Sequence, residues 1–194
     1  MTTQILEILQ EGDIFIDLGG NEGYFSILAS FKVGNKGRVY CIEPQNRLWE
    51  IILRNANKNN CYNIKIVPFA IADKIEEVTI SLSPSINTGS STFVSEKRRL
   101  FWETQKINCT TLDCLFSVEQ FTTIKLIKID IEWYEYLALK GGRTLLENQV
   151  IKNIIIEFHS LQLEKLGQST DDVIHFLNHY GYVEVNGIYT CVKD

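Results

Sequence analysis

No run of apolar residues approaches the ~20 needed to span a bilayer, so no membrane-crossing helix is expected. Positive charge is scarce: 19 Lys and Arg against 24 Asp and Glu give a net charge of -5, and the densest basic cluster is only Lys97, Arg98 and Arg99. That disfavours a nucleic-acid partner. The five cysteines (Cys41, Cys61, Cys109, Cys114 and Cys191) are odd in number and form no CxxC pair. The N-terminal stretch lacks the long apolar segment of a signal peptide. Together these absences lead us to expect reduced thiols and a cytoplasmic setting. Internal repeats and linker-like shifts in composition are also missing, so residues 1–194 are expected to form one domain.

Apolar strand-like runs alternate with longer stretches of mixed polarity. A short helix is expected over Thr3–Gln10, followed by a strand in "DIFIDLGG" (Asp13–Gly20) that runs into a glycine turn. A helix over Glu22–Phe31, a strand over Gly37–Pro44 and a helix over Asn46–Lys58 come next, and "NIKIVPFAI" starts a third strand. Later come a strand over Ile124–Ile131, a helix over Tyr134–Leu146 and a strand over Ile151–His159. A helix over Thr170–Tyr180, capped by Ser169 or Thr170, leads to an antiparallel hairpin around Asn186-Gly187. This alternation implies an α/β fold with a largely parallel sheet. Residues 76–110 break the rhythm with short strands and Ser/Pro/Asn/Gly loops, and 83–108 reads as a loop-rich insertion forming a lid or substrate wall. Phe93, Phe101 and Trp102 there would pack locally or line that wall.

The turn "DLGGNEG" sets Asp17, Gly19, Gly20, Asn21 and Gly23 between a strand and a helix. Glycines let a ligand approach the backbone, and a helix start offers free N–H groups. A dinucleotide-binding G-x-G-x-x-G would need Gly at 21 and 24, where Asn21 and Tyr24 stand. Glu43 follows Gly23 by twenty residues, at the end of the second strand, where an acid can accept hydrogen bonds from both ribose hydroxyls. The pattern indicates a nucleoside-containing cofactor without a pyrophosphate, and Asp17 suits a cationic amino group.

"FIDLGGNEGYFS", "VYCIEPQ", "TLDCL", "IKLIKIDIEWYE" and "NIIIEFH" occur in an order that resembles the blocks of FkbM-type S-adenosylmethionine-dependent methyltransferases, over roughly residues 13 to 160. The resemblance implies a Rossmann-like class I methyltransferase fold. That fold has a mostly parallel seven-stranded sheet, helices on both faces and a C-terminal antiparallel hairpin. The implied activity is methyl transfer, commonly to a hydroxyl oxygen, with S-adenosylmethionine as cofactor. It also implies that Asp17, Gly19, Asn21, Gly23 and Tyr24 surround the methionine half of the cofactor. Glu43 would hold the ribose, Ala70 and Ile71 would lie near the adenine, and Asp130 would stand where cofactor and acceptor meet. The family has Gly after the second acid of D-x-E-G; here Trp133 stands in its place and, so near the acids, is the aromatic expected at the substrate.

In a strand, residues two apart face the same way, so Lys128, Asp130 and Glu132 share one side. Lys128 is expected to pair with Asp130 or another acid. Asp17, Glu43, Asp130, Glu157 and His159 lie near the carboxyl ends of strands, where open α/β sheets bind ligands. His159 is the first candidate for a base taking a proton from a hydroxyl acceptor; Asp130 and Glu132 follow, and Glu157 would orient His159 or the acceptor. Glu135 reads as a helix-start acid. The spacing of Asp130, Glu132, Glu157 and His159 permits a divalent metal without requiring one, and none is assigned. His175 and His179 share a helical face and read as surface groups. The partner is expected to be a small hydroxylated acceptor, with neither nucleic acid nor membrane; a homo-oligomer is compatible. The competing readings are an NAD-type oxidoreductase and a non-catalytic nucleoside-binding or scaffolding domain.

Overall fold

A computed structural model describes residues 1–82, 103–117, 121–132 and 134–192. Seven strands form one sheet in the order β3-β2-β1-β7-β8-β10-β9. Its parallel part comprises β1 (Ile14–Leu18), β2 (Arg38–Ile42), β3 (Ile64–Val67), β7 (Leu126–Ile129) and β8 (Asn153–Ile156). The hairpin β9 (Tyr182–Val185) and β10 (Ile188–Cys191) closes one edge, with β10 antiparallel to β8.

The central strands are almost wholly apolar because both sheet faces are covered. Ile16, Leu18, Ile127, Ile129 and Ile154 face the larger core. Phe15, Val39, Leu126 and Ile155 face a second core that includes Ile5 and Leu9 beside α1 (Thr2–Ile8), and Ala29 and Val33 at α2 (Tyr24–Val33). In α3 (Asn46–Lys58) the buried residues Leu48, Ile52 and Ala56 recur every four positions, one stripe turned to the sheet. Ser169 caps α8 (Thr170–His179) through a reciprocal box with Asp172.

Three elements depart from the sequence reading. Pro68 ends β3 at Val67, since proline has no N–H for the ladder. The chain resumes as β4 (Ala70–Ile71) in a separate sheet, parallel to β6 (Thr104–Thr110), which in turn pairs antiparallel with β5 (Glu76–Ser81). The helix expected over Tyr134–Leu146 is two, α5 (Glu135–Lys140) and α6 (Arg143–Glu147). They part at Gly141, where a Cβ would lie 2.1 Å from the carbonyl oxygen of Ala72. Asp113, at the start of α4 (Leu112–Ser117), accepts from the N–H groups of Thr144 and Leu145 at 2.8 and 3.0 Å and so caps α6. The strand expected to reach His159 stops at Ile156, and His159 becomes the N-cap residue of α7 (Ser160–Lys165).

The five cysteines form no disulfide with one another. Among the described residues no helix is long and apolar enough to cross a membrane. The aromatic residues Phe93, Phe101, Trp102 and Trp133 lie outside the described residues, as does most of the 83–108 stretch.

Candidate functional site

In parallel pairing Asp17 of β1 stands opposite Lys128 of β7, so both side chains leave the sheet on the same face. Lys128 donates to Asp17 Oδ1 at 2.9 Å and to the Gly19 carbonyl at 3.2 Å, while Ser26 donates to Asp17 Oδ2 at 2.7 Å. Both charged side chains are buried, with relative exposures of 1% and 0%. Burial works to lower the Lys128 pKa, but Asp17 and Asp130 outweigh it and hold the ammonium charged. Asp17 thus sits behind the glycine turn rather than on the cleft, its oxygens occupied by Ser26 and Lys128.

The turn itself is tightly constrained. Gly19 has φ +81°, and a Cβ there would lie 2.0 Å from the carbonyl oxygen of Asp130. The turn after β1 therefore packs directly on the chain leaving β7. Gly19→Ala should lower stability by more than about 1 kcal/mol, read as an earlier urea midpoint.

The cleft opens above the carboxyl ends of β1, β2 and β7. Gly19, Asn21, Glu43, Asp130 and Glu132 give it polar lining, and Phe69, Ile71, Ile80, Ile107 and Ile131 give it apolar walls. Ala70 and Tyr134 also line it. Asn21, in the left-handed region at φ 47°, holds a buried Oδ1 with no hydrogen-bond partner among the described residues. Glu43 accepts from the N–H groups of Asn21 and Gln45, each at 2.9 Å. Burial raises its pKa to about 7, against the pull of those two bonds. Gln105 of β6 donates to the Pro44 carbonyl at 3.0 Å, tying the second sheet to the loop that carries Glu43. Gly23 caps α2 at φ +88° and Tyr24 is 62% exposed against Phe25; neither lines the cleft.

The acids that follow β7 make different contacts. Asp130 turns Oδ2 toward Lys128 at 3.4 Å and Oδ1 toward His159 Nε2 at 3.9 Å. Donor atoms of Asp130, Glu157 and His159 lie within 4.8 Å of one another. The carboxyl group hydrogen-bonded to His159 belongs to Glu135, whose Oε1 lies 2.7 Å from Nδ1, and not to exposed Glu157. That hydrogen bond is the main cause of a His159 pKa above its ordinary value, with Asp130 and Glu132 adding to it. Burial raises Glu132 as well. His159 and Glu157 stand at the rim, outside the cleft lining formed by Asp130 and Glu132.

Residues 17–184 match the model of the methyltransferase FkbM domain. The chain belongs to that family. Among curated relatives of this FkbM-domain chain is a probable cobalt-precorrin-6B C(15)-methyltransferase (decarboxylating) of Sulfolobus acidocaldarius. It is 25% identical over 142 residues, 69% of this chain and 71% of the relative. Among solved structures, the methyltransferase FkbM of Methylobacillus flagellatus KT matches with a TM-score of 0.56 at 17% identity, covering 93% of this chain and 44% of that one. The present chain therefore spans less than half of that FkbM protein. A putative rRNA methylase from Clostridium thermocellum gives a TM-score of 0.57 at 10% identity, over 98% and 95% of the two chains. These structures establish the class I methyltransferase fold.

Within this FkbM domain, sequence reasoning passed over Glu135 as a site residue and the Ile80 and Ile107 wall. The wall could have been found by asking what β5 and β6 cover; the Glu135 contact had no local signal, because its partner is 24 residues away.

Proposed function

We propose that this FkbM-domain chain binds S-adenosylmethionine in the cleft and transfers its methyl group to a hydroxyl oxygen of a small metabolite or sugar. The observation that carries the reading is one cleft with an unpartnered buried acceptor, Asn21 Oδ1, and the carboxylate of Glu43 beside it, with Asp130 lining the same cleft and leading to His159. The residues present fit the cofactor. Glu43 has lone pairs left for the ribose hydroxyls, Asn21 Oδ1 needs a donor such as an amino group, and the apolar walls suit the adenine.

When bound, S-adenosylmethionine supplies an electrophilic methyl on a sulfonium. The chain's own part is to hold the acceptor and remove its proton. Asp130 and Glu132 orient the hydroxyl, and His159 Nε2 takes the proton as the new bond forms. Lys128 already neutralises one side of Asp130, and Glu135 engages His159 Nδ1, so these groups read as proton handling rather than as metal ligands. A net charge of -5 and the acidic rim favour a small acceptor over a polyanion such as RNA.

Calorimetry with S-adenosylhomocysteine and, separately, NAD tests the cofactor class. Micromolar binding of the former alone is expected, and its absence would remove the basis of the reading. The affinity should also weaken as pH falls through about 7, where Glu43 takes up a proton and loses acceptor capacity, by up to about tenfold per pH unit. Glu43→Gln should bind weakly with no such slope. In an acceptor screen, a product methylated on carbon, as the name of the cobalt-precorrin relative describes for that protein, would overturn the hydroxyl assignment.

A further inference from the structure

We infer that Glu135 is the positioning residue that fixes His159 in the tautomer able to accept the substrate proton; this rests on the reading of His159 as the base. Glu135 opens α5, where an acid favours the helix dipole, yet a dipole contact is made at the surface and Glu135 is fully buried. Taking a carboxylate out of water costs far more than the end of a six-residue helix returns. Among the described residues its Oε2 has no hydrogen-bond partner, and its Oε1 is paired with His159 Nδ1.

A carboxylate accepts and cannot donate, so Nδ1 carries the hydrogen and Nε2 keeps its lone pair. Nε2 is the nitrogen turned toward Asp130, which lines the cleft. The groups facing the ring are Glu135 from α5, Asp130 and Glu132 from the chain after β7, and Glu157 from the chain after β8, with Lys128 behind Asp130. Once His159 has taken a proton, its charge lies between Glu135 at 2.7 Å and Asp130 at 3.9 Å. The same acid therefore selects the accepting nitrogen and stabilises the cation formed.

The chain has three histidines, so nitrogen-15 NMR of the side chains resolves His159 by comparison with His159→Gln. In the wild-type protein neutral His159 should carry its hydrogen on Nδ1. In Glu135→Gln the His159 titration should move to lower pH, and the pH profile of kcat should move with it. The plateau of kcat should fall at least about a hundredfold, with unchanged affinity for S-adenosylhomocysteine. A merely structural Glu135 would lower stability and leave both the titration and the profile in place, which would overturn the inference. If Glu135→Gln does not fold, the wild-type tautomer decides: hydrogen on Nε2 refutes the assignment. Full turnover in His159→Gln would instead refute the base, and the NMR result would still report on Glu135.

Discussion

His159→Gln is expected to lower kcat by about 10²–10⁴ while leaving the affinity for S-adenosylhomocysteine unchanged. Affinity should hold because His159 stands at the rim, outside the lining of the cleft. The rate should fall because a hydroxyl is a poor nucleophile until its proton has somewhere to go. On the proposed role of His159 as base its neutral form is the active one, and Glu135, Asp130 and Glu132 favour the protonated one. Activity should therefore rise with pH through a midpoint above about 6.5, the ordinary histidine value. The substitution should abolish that limb of the profile. Single-turnover assays across the pH range measure both effects. A variant that keeps its rate and its pH limb would move the base to Asp130 or Glu132.

Lys128→Met should destabilise the fold by about 3–5 kcal/mol, because it leaves Asp17 as an uncompensated charge with 0% exposure. The Asp17 charge would then be held by the Ser26 hydroxyl without an ammonium beside it. Urea denaturation measures the loss. Adding Asp17→Asn to Lys128→Met should restore much of the stability, since the stranded charge is gone. An equally unstable double variant would mean that Lys128 matters through its contact with the Gly19 carbonyl and its packing on Phe25, not through charge.

These two residues mark how far the sequence could be read. Apolar runs locate β1, β2 and β7, the first two with glycine beside them, because strands buried on both faces need continuous hydrophobicity. Strand parity puts Lys128 and Asp130 on one side, and an apolar strand cannot bury a bare lysine, so an acid partner was required. That Asp17 is the main partner depends on register between strands over a hundred residues apart, which no local pattern carries. The helices α4 and α7 have six residues each, too short to show a 3.6-residue period. Gly141 and Gly142 stand inside the single helix expected over Tyr134–Leu146, and the reason it breaks there, contact with the Ala72 carbonyl, lies in tertiary packing. Glu135 is the clearest case: its sequence position satisfies a local rule, and only the assembled chain shows that its side chain turns inward to His159. Trp133, the departure from the family's glycine, lies outside the described residues.

Leu82 donates from its backbone N–H to the Glu103 carbonyl at 2.7 Å, just beyond the last paired residues of β5 and β6. The two ends of the intervening segment are thus clasped at a neck by main-chain bonding that does not depend on what the segment contains. Closing a loop on such a neck costs little more when the loop doubles in length, about 0.6 kcal/mol. Insertions or deletions between Leu82 and Glu103 should therefore leave Gln105 in place and, through its bond to the Pro44 carbonyl, the loop that carries Glu43.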